Sequence, residues 1–231
     1  MNKIDLRDFI TFLTNPSPGE HYEINSISNF LRLVWKSFLV LMVIDIIAGI
    51  LIVIPLRHFN LFPSLREFKL SASNILKITL IFPIVEELIF RLPLRISKIN
   101  LATSFSLMIF VVLNKWCFSN IYLALSFSIA LFILLYIGTL RESSFLDIFT
   151  TYLTNHFWNF FYFQSLFFGF LHITNYIVDF RYFYLFPFIV LSYIFKGFLF
   201  GYLRIRFTYG IYLSIATHVV VNSIYSLILF H

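Results

Sequence analysis

The stretch FLRLVWKSFLVLMVIDIIAGILIVI, residues 30–54, decides the fold class of this chain. It is longer than the roughly 20 predominantly apolar residues that a helix needs to cross the hydrocarbon core of a bilayer. Its apolar residues form a continuous run and do not alternate with polar ones as in a half-buried strand. Inside lipid, only helices and closed barrels satisfy every backbone hydrogen bond. The stretch therefore predicts a membrane-spanning helix.

The composition of the whole chain supports the same class. Of the 231 residues, 60% are hydrophobic and 12% are charged, whereas a soluble domain usually carries about 25% charged residues. The net charge of +6 comes from basic residues that mostly flank apolar runs, where they set membrane topology. Because these residues form no basic stripe, we expect membrane lipid and no nucleic acid as a partner.

Further apolar runs predict an all-α, polytopic transmembrane helix bundle of about seven spans. The predicted spans are residues 30–54, 75–90, 101–113, 121–140, 157–177, 182–203 and 211–230. Pro55 is expected to end the first span, because proline lacks the backbone N–H that continues a helix. The sequence SFLDIFTTYL, residues 144–153, could form an eighth, interfacial helix.

The chain divides into residues 1–29, a polar or interfacial segment, and residues 30–231, a single helical membrane domain. Within the first segment, LRDFITFL is a candidate for a short amphipathic helix on the membrane surface. A slight excess of Lys and Arg on the N-terminal side of the spans predicts a cytoplasmic N-terminus. We expect an integral protein of a bacterial-type plasma membrane. Cys117 is the only cysteine, which excludes an intrachain disulfide.

Three ionisable residues interrupt the second apolar run, PIVEELIFR, residues 83–91. Each costs about 2.5–3.5 kcal/mol at mid-membrane, so such groups usually face the bundle interior and mark function. Glu87 and Arg91 stand four residues apart and can pair on one helix face. Glu86 lies about 100° around the helix and is free to point elsewhere. The spacing equally allows a solvated cap at the membrane edge, just before Pro93.

Two later apolar runs carry polar residues that need partners. His172 lies in LFFGFLHITN, and His218 stands four residues before Asn222 in the last run. A lone buried histidine is more often a hydrogen-bonded structural group than a catalyst, but His218 and Asn222 share a helix face. Their natural partners are His172 and Glu86, because buried polar groups require hydrogen bonds.

This set of residues allows two chemistries. A glutamate helped by a histidine can act as general base toward water, while a histidine and an asparagine stabilise an oxyanion. Alternatively, Glu86, His172 and His218 form a His₂Glu zinc set. Spacing does not separate these uses.

Asp45 lies within the first predicted span and Lys196 within the sixth. Asp45 is interpreted as a hydrogen-bonding group between helices or a local charge partner. Lys196 is expected to extend its ammonium group to the membrane surface. Other protease chemistries lack their motifs, since the chain has no H-E-x-x-H, no G-x-S-x motif and no span with paired aspartates.

Three patterns in order, on separate apolar segments, resemble the CAAX protease and bacteriocin-processing family, also called the CPBP or Abi family, of intramembrane metalloproteases. The family pattern is E-E-x-x-x-R, then F-x-x-x-H, then H-x-x-x-N/D. The sequence contains Glu86-Glu87-x-x-x-Arg91, Phe168-x-x-x-His172 and His218-x-x-x-Asn222. The resemblance covers about residues 75–230 and implies a helical membrane core with a polar cavity.

By motif position, the resemblance implies an intramembrane endopeptidase acting near the membrane surface. Glu86 and His172 would activate water, and His218 with Asn222 would form the oxyanion site. Zinc is an open alternative held by Glu86, His172 and His218, because the family is named for a metal while a metal-independent glutamate mechanism is also proposed for it. The substrate would be a peptide or protein, with or without a lipid.

The resemblance assigns two further residues a supporting role. Glu87 and Arg91 would hold the geometry of the helix that carries Glu86. Glycines at positions 197, 201 and 210 would allow close helix packing before the last motif.

Two other classes remain open from the sequence. The same fold could serve as a non-catalytic membrane scaffold or immunity protein, which separation of Glu86 from His172 beyond the reach of one water would favour. A proton or ion transporter would require a continuous polar path across the bilayer.

Overall fold

The computed structural model describes residues 6–19, 21–65, 71–117, 120–140, 145–177 and 179–229. The start of the predicted N-terminal segment, residues 1–5, and Phe230, the end of the last predicted span, lie outside these ranges. The described helices are α1 (Leu6–Thr14), α2 (Ile27–His58), α3 (72–90), α4 (Lys98–Val112), α5 (Ile121–Thr139), α6 (Phe145–Asn155), α7 (Phe157–Leu171), α8 (Phe186–Ile189), α9 (Leu191–Arg206) and α10 (Gly210–Leu229).

Short irregular elements connect or interrupt these helices. They are 3₁₀ turns at Leu92–Leu94, His172–Asn175 and Phe180–Leu185, and wider π-helical turns at Gly49–Val53, Lys77–Ile81 and Leu113–Cys117. Two-residue strands β1 (Ser64–Leu65) and β2 (Tyr176–Ile177) pair antiparallel, with Ser64 opposite Ile177.

Three of the described helices, α2, α5 and α10, are long and apolar enough to cross a membrane. The segment Phe180–Ile189 and α9 together would make a fourth span with a 43° bend. Helix α7 has 15 residues, fewer than the roughly 20 that a full crossing needs. An all-α structure with three or four candidate membrane spans is thus confirmed, whereas the predicted seven or eight spans are not.

The prediction that Pro55 ends the first helix is wrong, because α2 continues to His58. A proline inside a regular α-helix lacks a donor and clashes with the carbonyl four residues earlier. Here the wider turn Gly49–Val53 precedes Pro55, and the Ile54 N–H donates to the Gly49 carbonyl, five residues back. The helix therefore shifts its hydrogen-bond register before it reaches the proline.

Helix α9 lies at the centre of the bundle and packs against α7, α10 and α2. The approach of α7 to α9 requires glycine, because a Cβ atom at Gly197 would lie 2.5 Å from the Ser165 carbonyl oxygen. A Cβ atom at Gly169 would lie 2.4 Å from Ile194 Cγ1. The close helix packing expected from the glycines therefore occurs at the α7–α9 contact.

Helix α1 is amphipathic, and its apolar face contacts the bundle. Phe9 and Phe12 are buried, with ring centroids 5.2 and 5.5 Å from that of Tyr202 on α9. The Tyr202 hydroxyl donates a 2.6 Å hydrogen bond to the Asp8 carboxylate. The part of the N-terminal segment expected on the membrane surface thus packs against the helical domain.

Candidate active site

The two adjacent glutamates lie near the end of α3 in different environments. The Glu87 side chain is fully buried, whereas 33% of the Glu86 side chain is exposed. The helix ends where the Arg91 N–H donates to the Glu87 carbonyl. The Arg204 Nε donates to the Arg91 carbonyl oxygen over 3.1 Å, which satisfies one of the free carbonyls at the helix end.

The Glu87 carboxylate contacts two basic side chains. Its Oε2 lies 3.7 Å from Arg91 Nε, and its Oε1 lies 3.0 Å from His218 Nδ1. The Arg91 side chain is fully buried, and its guanidinium carbon lies 4.3 Å from the ring centroid of Phe168. Such a position allows a cation–π attraction. Full burial excludes a solvated cap for Glu87 and Arg91.

The tautomer of His172 follows from its hydrogen bond. Nδ1 lies 2.8 Å from the Phe168 carbonyl oxygen, four residues earlier. A carbonyl only accepts, so Nδ1 carries the proton and the neutral ring has an unprotonated Nε2. The ring also stacks on Tyr193, with centroids 4.3 Å apart. Both contacts fix the direction of the His172 Nε2 lone pair.

The same reasoning applies to His218. A carboxylate paired with Arg91 only accepts hydrogen bonds, so His218 Nδ1 donates to Glu87 and leaves Nε2 unprotonated in the neutral ring. The His218 ring stacks on Phe200, with centroids 4.9 Å apart. A carboxylate that orients a histidine in this way is the usual partner of a catalytic or metal-binding imidazole.

Both Nε2 atoms face the same carboxylate oxygen. Glu86 Oε2 lies 3.7 Å from His218 Nε2 and 4.0 Å from His172 Nε2. These separations exceed a direct hydrogen bond and are short enough for one water molecule to contact the carboxylate and an imidazole together. Glu86, His172 and His218, predicted from three separate segments, therefore converge.

The three side chains match a zinc ligand set in chemistry but not in spacing. A tetrahedral zinc ion with bonds of about 2.0–2.1 Å needs ligand atoms about 3.3 Å apart, less than the 3.7 and 4.0 Å between these atoms. Across the part of the chain that the structure describes, no three His, Cys, Asp or Glu side chains are grouped to hold a metal ion.

Glu86 and His172 line a cavity of about 540 Å³. Asn222 lines it too, and its Nδ2 donates a 3.0 Å hydrogen bond to the Ile78 carbonyl oxygen on α3. His218 is only 3% exposed and does not line the cavity, so it lies on the buried side of Glu86, away from the cavity. Of the residues predicted for the site, the cavity thus exposes Glu86, His172 and Asn222.

A second polar group in the cavity wall was not assigned a role in the site from the sequence. Lys196 Nζ lies 3.0 Å from Asp45 Oδ2, and the Tyr225 hydroxyl donates to the same oxygen. Lys196 is buried, contrary to the expectation that it reaches the membrane surface. The sequence shows one acidic and one basic residue in separate apolar runs, which is the only sign of this pair. Only the fold shows that the two side chains are in contact.

Comparisons of the chain with protein-family models, curated proteins and solved structures found no match.

Proposed function

We propose that the protein is an integral membrane endopeptidase of the CAAX-protease-like type that hydrolyses a peptide bond near the membrane surface. The proposal includes seven spans and a cytoplasmic N-terminus in a bacterial-type plasma membrane. The observation that carries it is the convergence of the Nε2 atoms of His218 and His172 on Glu86 Oε2, at 3.7 and 4.0 Å. Ionisable groups facing a cavity inside a membrane bundle usually serve chemistry or transport.

In the proposed reaction, a water molecule binds between Glu86 and His172. Glu86 accepts a proton from the water as the water oxygen attacks the peptide carbonyl carbon. His172 Nε2 orients the water by accepting a hydrogen bond from its other O–H. The Glu86 carboxylic acid then protonates the leaving amine as the C–N bond breaks. The products are a carboxylic acid and an amine, and the Glu86 carboxylate is restored.

The negative charge on the tetrahedral oxygen needs donors. Asn222 has two N–H bonds on Nδ2 and uses one on Ile78, which leaves the other for the oxyanion. His218, the other residue proposed for the oxyanion site, does not line the cavity in this structure. To donate to the oxyanion it would need a proton on Nε2 and a shift that opens it to the cavity. Glu87 and Arg91 support this arrangement from the buried side of α3.

Zinc is a separate alternative at the same three residues. If Glu86, His172 and His218 closed to zinc spacing, the ion would lower the pKa of a bound water. Because the observed spacing is wider, the steps above use only protein side chains. Treatment with a zinc chelator tests the alternative, since restoration of cleavage by added zinc would support a metal enzyme.

The experiment compares the wild-type protein with Glu86→Gln and His172→Gln in proteoliposomes. Peptides with and without a C-terminal lipid serve as probes, and mass spectrometry detects cleavage. We expect each variant to lose cleavage by at least about 100-fold, the usual contribution of a general base, with unchanged thermal stability. Glu23→Gln, at an exposed glutamate, is the matched control and should cleave normally. Cleavage at the wild-type rate by both site variants would show the mechanism to be wrong.

A further inference from the structure

Helix α3 contains a carbonyl group that its own backbone does not satisfy. In the π-helical turn Lys77–Ile81, the Phe82 N–H donates to the Lys77 carbonyl, five residues back. The next amide in this register belongs to Pro83, which has no N–H. The carbonyl that this amide would reach is that of Ile78. A buried carbonyl without a donor is costly, and more so inside a membrane.

A side chain from another helix supplies the missing donor. Asn222 Nδ2, on α10, lies 3.0 Å from the Ile78 carbonyl oxygen. We propose that Asn222 is a positioning residue, whose amide replaces the absent N–H of Pro83 and holds α3 in the register that directs Glu86 into the cavity. This role adds to the oxyanion contact proposed for its second N–H.

The position of the bond explains how it acts on the site. Ile78, Phe82 and Glu86 stand at successive four-residue steps of α3, and all three line the cavity. On α10, Asn222 lies one turn after His218, which contacts Glu86 and Glu87. The two helices are therefore joined at two levels, and the Asn222 bond fixes α3 two turns before the glutamates.

Helix α2 offers a matched control for this arrangement. It has the same backbone arrangement as α3. The π-helical turn Gly49–Val53 comes shortly before Pro55, and the Ile54 N–H donates to the Gly49 carbonyl. Asn222 bonds to α3, not to α2. Replacing Pro55 thus restores an N–H in an equivalent backbone without affecting the proposed contact.

The test is a double-mutant cycle on the full chain in detergent, with thermal unfolding as the measurement. Asn222→Leu keeps the side-chain size but removes the donor, and we expect the Tm to fall by about 3–8 °C because a part-buried carbonyl loses its partner. Pro83→Ala provides a backbone N–H for Ile78, so the Pro83→Ala/Asn222→Leu protein should recover most of that loss. The Pro55→Ala/Asn222→Leu protein should recover none of it.

A second measurement reports on positioning rather than stability. The ¹⁵N NMR signals of the His172 ring, assigned by their loss in His172→Gln, reflect its contact with Glu86. We expect these signals to change in Asn222→Leu and to return toward the wild-type position in the protein with Pro83→Ala. A purely structural bond remote from the site would leave them unchanged.

Three results would overturn the proposal. The first is that Pro83→Ala restores none of the Tm lost in Asn222→Leu. The second is that Pro55→Ala restores as much of the Tm as Pro83→Ala does. The third is that the His172 signals do not change in Asn222→Leu. If Asn222→Leu alone fails to fold, folding of the Pro83→Ala double variant supports the proposal and its failure to fold contradicts it. The positioning of Glu86 matters for catalysis only under the proposed function. Neither measurement uses peptide cleavage, so the positioning role and the endopeptidase function can fail separately.

Discussion

At the scale of single residues, Glu86 and Glu87 differ in environment although they are neighbours of the same type. Successive residues on a helix point about 100° apart, so Glu87 faces the buried interior while Glu86 faces the cavity. Glu87 is held by Arg91 and His218. Only Glu86 keeps an accessible carboxylate, which is why it is the proposed base.

Arg91 makes the stability of the site depend on Glu87. Within the described ranges, no protein group forms a hydrogen bond with the Arg91 side-chain nitrogens, and the Glu87 carboxylate lies 3.7 Å from Nε. We expect Glu87→Gln to lower the free energy of unfolding by about 3–5 kcal/mol, because it leaves a buried charge unpaired. Denaturation in mixed micelles measures the loss.

The matched variant for this prediction removes both charges. Glu87→Gln/Arg91→Met should be more stable than Glu87→Gln alone, because no unpaired guanidinium remains buried. Equal stability of the single and double variants would contradict the view that the Arg91 charge is the source of the cost.

At the scale of elements, glycines set the distance between helices α7 and α9. Helix α7 carries His172 at its end, and α9 packs along it through Gly169 and Gly197. Close helix approach through small residues is common in membrane proteins. The separation of these two helices therefore affects where His172 lies relative to Glu86.

Gly197→Ala tests this packing. Its Cβ atom would lie 2.5 Å from the Ser165 backbone oxygen, so we expect a destabilisation of about 1–3 kcal/mol, as for an overpacked core. Gly138→Ala is the control, since nothing lies within 4 Å of a Cβ atom there. Thermal unfolding of both variants should show a loss only for Gly197→Ala, and a similar loss in both would count against the packing argument.

A charged group also joins elements around the cavity. Lys196 on α9 pairs with Asp45 on α2 at 3.0 Å, and Tyr225 on α10 donates to the same carboxylate. Such a pair is costly to bury but even more costly to break. It therefore holds three helices together in the wall of the cavity that Glu86 and His172 also line.

At the scale of the whole molecule, the number of spans decides which loops share a side of the membrane. With seven spans, the loop before α4 lies on the same side as the N-terminus. With only α2, α5 and α10 as spans, or with the bent pair as a fourth, that loop lies on the opposite side. A position where this loop meets α4, such as Ile99 in its first turn, therefore separates the two topologies.

Cysteine labelling measures that position. In a Cys117→Ser background, single cysteines at Ser17, Ser64 and Ile99 are treated in spheroplasts with a maleimide that does not cross membranes. The proposed seven spans predict that Ser64→Cys is labelled while Ser17→Cys and Ile99→Cys are protected. Labelling of Ile99→Cys together with Ser64→Cys would instead favour three or four spans.

Local spacing accounts for part of this structure. Continuous apolar runs predict helices because a lipid-exposed backbone must satisfy its own hydrogen bonds, and the described helices follow those runs. The four-residue spacing of Glu87 and Arg91 allows the observed pair. These features depend on residues within a turn or two of one another, so the sequence contains them.

Only the tertiary structure decided the rest. The contact of His218 with Glu87 joins residues 131 positions apart, and that of Asn222 with Ile78 joins residues 144 positions apart. Such contacts arise from helix packing, which no local pattern specifies. The pairing of Lys196 with Asp45 depends on the same packing. The sequence by itself determined a helical membrane protein with a few buried ionisable residues, whereas the fold alone decided which of their atoms face each other.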